Sequence, residues 1–225
     1  MDKQGLDYIK KHSAELQILT VDDLPDPTVL PASWLDLLSV KGEERINKTL
    51  ELWKPFSKEL GNVLMYLHEN LRSVELIHQV HGYSLLYGIQ KETRILYYEG
   101  QNPLSKKVPD NISKYWKHLP EKLSDFYELH NGWFYFASRS MGLASVERWS
   151  FLGDDEWGIL DELGELDFNL DDMLAIYPNG MGDYVCVNVT KERGESMLWF
   201  HNKAPMRNID FWRIIDVWTH IGITG

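Results

Sequence analysis

The residues of this chain that could do chemistry are a few histidines, some acids and one cysteine, and their spacing limits what they could do. His130 stands beside Asn131 and could serve as a general base. A base needs a nucleophile, and no serine or cysteine sits in a recognisable nucleophile elbow. A helix ending at Asn131-Gly132 accounts for the same tripeptide structurally. His78 and His81, three apart and near Glu75, have a spacing that two metal ligands on a helix can adopt, but no third ligand is identifiable. Gly180 and Gly182 lack the lysine and following helix of a phosphate-cradling loop. They fit a turn with positive φ, with Asp183 hydrogen-bonding its backbone and His201 bonding locally at a strand end. Asp183 and Asp210 cannot be shown to converge, so no paired-carboxylate mechanism is assigned. Cys186 lies in Tyr-Val-Cys-Val-Asn-Val and reads as a small strand hydrophobe. As the single cysteine it cannot form an internal disulfide. The expectation is no catalytic residue, no metal and no cofactor.

The acids form the strongest cluster. Between Glu147 and Asp172 stand ten acids, Glu147, Asp154, Asp155, Glu156, Asp161, Glu162, Glu165, Asp167, Asp171 and Asp172, against the single base Arg148. The segment therefore carries −9 of a net charge of −11 and leaves −2 to the rest. Nucleic-acid binding needs clustered Lys and Arg, so this balance argues against it. A calcium loop would need acids in EF-hand order with a glycine at its sixth position, and that order is absent. Two readings remain: a solvated acidic loop, or a face for a basic partner. On the second, Asp154, Asp155, Glu156, Asp161, Glu162, Glu165 and Asp167 steer, and Trp157, with Ile159 and Leu160 nearby, anchors. The same apolar residues could instead pin the loop to a sheet.

Around these residues the chain of 225 amino acids, 44% of them hydrophobic, has ample core material. No secretory signal and no apolar run of the roughly 20 residues that a membrane helix needs is visible, so a cytoplasmic protein is expected. In the first half, Leu6 to Leu19 reads as a helix, followed by a linker at Asp22-Asp23-Leu24-Pro25-Asp26-Pro27. Pro31 to Leu38 reads as a short helix with Trp34, Leu35 and Leu38 inward, and Glu43 to Trp53 as another that Pro55 interrupts. Ser57 is the expected cap of a helix whose apolar face is Leu60, Val63, Leu64, Leu67 and Leu71. Tyr83–Ile89 and Arg94–Glu99 read as a hairpin, with a helix through Tyr87 as the competing reading.

The second half is clearer. Pro120 opens a helix over residues 120–130 whose stripe is Leu119, Leu123, Phe126, Tyr127 and His130. A strand at 133–137, one or two short strands within 143–152 and the acidic loop follow. Strands at 173–177, 184–189 and 197–201 make a meander with turns at 179–182 and 191–194. Asn208 is the expected cap of a last helix with Phe211, Trp212, Ile215 and Trp218 inward. The expected fold class is α+β, a mainly antiparallel sheet flanked by helices. Residues 1–100 would be a mostly helical extension packed on an α+β domain of residues 101–225.

The run Leu119-Pro120 … Leu123 … Phe126-Tyr127 … His130-Asn131-Gly132-Trp133 resembles the opening signature of the SUKH superfamily. That group includes fungal Smi/Knr cell-wall regulators and many bacterial immunity proteins. Tyr177-Pro178-Asn179-Gly180-Met181-Gly182-Asp183-Tyr184 is similar to its glycine-aspartate-tyrosine turn before a strand. Trp199-Phe200-His201-Asn202 is similar to its strand ending in His-Asp/Asn, and Phe211-Trp212 opens a final helix. The resemblance covers roughly residues 110–222, about half of the chain. It implies a bacterial-type immunity protein, not an enzyme, that occludes a cognate toxin with a basic surface, such as a nuclease. The alternatives are a regulatory scaffold of the Smi/Knr kind, and an enzyme of unknown type. The acidic face itself is not part of any family motif.

Overall fold

The structure is a computed structural model that describes residues 3–13, 15–24, 26–191 and 195–225. In chain order its elements begin with α1 (Lys3–His12), β1 (Gln17–Leu19), α2 (Ala32–Leu38), α3 (Gly42–Trp53) and α4 (Gly61–Asn70). Then come β2 (Leu71–Gln79), β3 (Gly82–Lys91), β4 (Arg94–Gln101), α5 (Asp110–Ser113) and α6 (Leu123–Leu129). β5 (Trp133–Tyr135), β6 (Ser140–Leu143), β7 (Ser150–Phe151) and α7 (Leu160–Leu163) lead into β8 (Met173–Pro178) and β9 (Tyr184–Asn188). β10 (Ser196–Trp199), β11 (Met206–Arg207) and α8 (Phe211–Thr224) complete the chain. The class is α+β, with two antiparallel sheets ordered β1-β2-β3-β4-β5-β6 and β11-β10-β9-β8-β7.

Residues 1–100 are not a helical layer alone. They hold β1 to β3 and nearly all of β4, and β4 continues the sheet into β5 through the pairs Tyr98↔Tyr135 and Gly100↔Trp133. One sheet thus crosses the expected boundary. The hairpin forms as expected, with Lys91 opposite Arg94 and a turn of two residues in which Glu92 has φ 50°. Its pattern is not strictly alternating because both sheet faces are covered, which favours near-continuous apolar strands. One face sends Val74, Leu76, Leu85, Tyr87, Ile89 and Tyr98 into the main core with α2, α3, α4, α6 and α8. The other packs Ile77, Leu86, Tyr97 and Phe136 under Ile9 of α1 and Leu16. The expected helix from Leu6 to Leu19 ends at His12, because Gln17–Leu19 instead pairs with the open edge of β2. A tertiary partner for those backbone groups overrides local helical preference.

The second sheet turns Leu174, Ile176, Val185, Val187 and Leu198 to the main core. It meets the first sheet where the Ala144 N–H donates to the Ile176 carbonyl at 3.0 Å. Ile176 lies at a register shift between Ala175 and Tyr177, and the bulge frees its carbonyl for that bond. The meander of β8, β9 and β10 follows the expectation, and its 191–194 turn lies outside the described residues apart from Lys191.

Three expected helix starts move. The helix after Pro120 begins at Leu123, preceded by Lys122 in the left-handed region (φ 69°). Its stripe Leu119, Leu123, Phe126, Tyr127 and His130 is nevertheless wholly buried. Asp210, not Asn208, caps α8, accepting from the Arg213 N–H at 3.1 Å. Ser57 does not cap α4. The carboxylate of Asp216, buried on α8, does so across space, accepting from the Asn62 N–H at 3.1 Å and the Val63 N–H at 2.9 Å. A helix whose own N-cap position is Leu60 gains the acceptors that its first turn lacks. The face of α4 is Leu60, Val63 and Leu67, with Leu71 already in β2.

Candidate functional site

The acidic segment is the cover of the second sheet's outer face. Leu152 and Ile159 are buried there against Met173, Ala175, Cys186, Met197 and Trp199, with Trp157, Leu160, Phe168 and Leu170 packed around them. The apolar residues point down, and the acids between them are left in water. Asp154, Asp155, Glu156, Asp161, Glu162, Glu165 and Asp167 are all exposed. The backbone holds only short helical pieces, a 3-10 turn at Leu152–Asp154, α7, and a second turn at Leu170–Asp172. Asp154 also accepts the Phe151 N–H at 2.9 Å, and Asn169 accepts that of Asp171 at 3.1 Å. Asp167 pairs with Arg207, which also holds Glu195 at 3.1 Å and so ties the segment to the edge strand β11.

Trp157, the expected anchor for a partner, is half-buried. Its indole N–H donates to the Leu152 carbonyl at 2.7 Å, and its ring stands edge-on to Trp199 at 5.3 Å and Tyr184 at 5.9 Å. It pins the segment to the sheet and fixes the frame that presents the acids. Cys186 lies fully buried beneath, its thiol pushed up by burial.

The histidines are committed elsewhere. His130 is fully buried among Trp34, Trp53, Tyr87 and Phe126. The Trp53 N–H donates to the Tyr87 hydroxyl at 3.2 Å, so that hydroxyl donates onward to His130 Nε2 at 2.7 Å. Burial lowers the imidazole to about 3 and keeps it neutral. Gly100 is required under the ring, since a Cβ there would lie 2.6 Å from Nδ1. Asn131 bridges loops, its Oδ1 accepting from the Val146 N–H at 3.1 Å and its amide donating to Glu147 at 2.9 Å. His130 is a core residue, not a base facing substrate.

Around residues 179–183 it is Asn179, not Asp183, that makes the backbone turn bonds, accepting from Met181 at 2.7 Å and Asp183 at 3.1 Å. Gly180 and Gly182 take φ 81° and 94°. Asp183 links this turn to the end of β10, accepting from His201 Nδ1 at 2.7 Å and the His201 N–H at 3.1 Å. Asp210 is committed to its cap.

His78 lies on β2 and His81 in the turn after it, so their spacing is not helical. His81 belongs to a cluster that sequence reasoning missed. Its partner Glu99, 1% exposed, accepts at Oε1 from His81 Nε2 (2.8 Å), the Ser84 hydroxyl (2.8 Å) and the Gln79 amide (3.1 Å). Burial works to raise the Glu99 carboxyl, but the His81 and Ser84 bonds and the Arg139 charge outweigh it and hold it below the ordinary range. The available signal was an acid in the middle of the apolar strand Leu96-Tyr97-Tyr98-Glu99.

No protein-family model, curated protein or solved structure matches this chain. Among the described residues, no helix is long and apolar enough to cross a membrane.

Proposed function

We propose that this chain is a cytoplasmic immunity protein of the SUKH type that neutralises a cognate toxin by covering a basic surface on it, without catalysis. The observation that carries the reading is the segment over the second sheet, which exposes eight acids, Asp171 and the seven expected to steer, while its apolar side chains hold it down. A fixed patch of negative potential accelerates encounter with a basic partner by about 10- to 1,000-fold at low salt. Such a surface suits a nuclease, whose substrate channel must itself be basic to hold phosphates. The SUKH-like motifs at residues 119–133, 177–184 and 199–202 supply the family half of the argument.

Asp154, Asp155, Glu156, Asp161, Glu162, Glu165 and Asp167 provide steering in this account. Trp157 holds their frame and offers a partner only its exposed ring surface. Co-expression with the toxin encoded immediately upstream tests the proposal. The wild-type chain rescues growth, and Asp155→Lys with Glu162→Lys reduces rescue. Full rescue by that double variant removes the acidic face from the account, and an upstream gene that encodes no toxin removes the immunity reading.

A further inference from the structure

Four charged or titratable side chains that are far apart in sequence meet at one end of the first sheet. Glu99 comes from β4, His81 from the β2–β3 turn, Arg139 from the connection between β5 and β6, and Arg148 from the stretch before β7. Arg139 holds a left-handed backbone (φ 54°) and sets an Nη 3.4 Å from the His81 ring. Arg148 donates from Nη1 to the Arg139 carbonyl at 2.6 Å, with its guanidinium carbon 5.9 Å from the centre of the Phe134 ring. Arg139 is exposed, and Arg148 keeps exposed surface while part of its guanidinium is shielded over Phe134. Among the described residues, neither has a carboxylate within ion-pair distance. Burial, and then the neighbouring Arg139 charge, lower Arg148. Arg148 lies against the Arg139 backbone, so two positive side chains share this end of the sheet with one carboxylate, Glu99, a local net positive charge in a chain of net charge −11.

We propose that Arg139 and Arg148, the first of them positioned by the His81 ring, form a binding site for a tetrahedral oxyanion of the phosphate or phosphate-monoester class. A guanidinium carries five N–H donors in a planar fork, and each of these two directs only one of them at a protein acceptor. A tetrahedral anion can accept from both forks at once, whereas a single carboxylate is matched by one. The hydrogen bond to buried Glu99 fixes His81, and the Arg148–carbonyl bond fixes the second guanidinium. The site is therefore formed before ligand arrives, which reduces the ordering cost of binding. The nearby Glu99 carboxylate keeps affinity modest. The inference stands independently of the toxin-binding proposal.

Calorimetric titration of the full chain with sodium sulfate, at ionic strength held constant with chloride, tests it. The expected result is saturable binding to one site with Kd of about 1 mM. Arg139→Gln with Arg148→Gln should weaken it about tenfold or more, in line with the loss of charge-assisted bonds. Should the double variant fail to fold, Arg139→Gln alone leaves the Arg148–carbonyl bond in place and gives the same reading. Displacement of sulfate by inorganic phosphate or O-phosphoserine, but not by acetate, supports the assignment. No saturable sulfate binding, equal binding by the variants, or displacement by acetate as effective as by phosphate overturns it.

Discussion

Each sheet has one face in the shared core and one face that something else must cover, and the two covers are built differently. Over the first sheet lies a regular helix, α1, which places Ile9 on Ile77, Leu86 and Tyr97. Over the second lies an irregular segment, which holds down its apolar residues one at a time and leaves acids between them. A helix commits one whole stripe to the sheet and repeats its exposed pattern every turn. A pinned loop can place charges at arbitrary positions and change them without disturbing the sheet. On the proposed function, the first is cover alone and the second also presents charge.

The largest expected effect comes from removing what each cover rests on. Trp199→Ala, a fully buried site beneath Trp157, should cost about 3–5 kcal/mol, and Ile9→Ala about 2–5 kcal/mol, in denaturant unfolding. If Trp199→Ala costs no more than an exposed substitution, the acidic segment is not seated on that ring. Next is a pH test of the core that both sheets share. His130 is depressed to about 3 in the folded state, so the unfolded chain binds the extra proton once pH falls below the ordinary histidine range. Stability present above about pH 6.5 should be lost by up to about 1.4 kcal/mol per pH unit as pH drops towards that folded value. His130→Gln, which keeps an acceptor for Tyr87, should flatten that stretch of the stability–pH curve. An unchanged slope would mean that the imidazole is charged within the core.

Smaller still is Trp157→Phe, which removes the indole bond to the Leu152 carbonyl and should cost about 0.5–1.5 kcal/mol. Hydrogen exchange should rise in residues 152–172 and stay unchanged under α1. Equal rises at both covers would erase the comparison.

How much of this was legible follows the same division. The stripe of α6 and the meander after residue 172 rest on local periodicity, and the sequence shows them; the β3–β4 hairpin is visible only as one of two readings of a run that does not alternate strictly. The cap of α4 by Asp216, the Glu99–His81–Arg139 cluster and the pairing of Gln17–Leu19 with β2 depend on residues from 18 to 154 positions apart. No local pattern carries them. The crossing of residue 100 was hidden for a related reason: strands covered on both faces lose the alternation that marks a half-buried strand. The acidic face was visible as composition, but the role of Trp157 was not. A tryptophan among acids looks the same in sequence whether it projects outward or clamps downward, and only Trp199 and Tyr184 decide it.

Asp155→Lys with Glu162→Lys should change folding stability least, by no more than about 0.5 kcal/mol, since both side chains are exposed. Its effect belongs to association. The most direct measurement of the proposed function is therefore the association rate of the full chain with the product of the gene immediately upstream, the toxin on that proposal, followed as salt is raised. The account predicts a wild-type rate that falls steeply with ionic strength, and a variant about tenfold or more slower at low salt with a flatter dependence. Identical rates and identical salt slopes for the two proteins would contradict it.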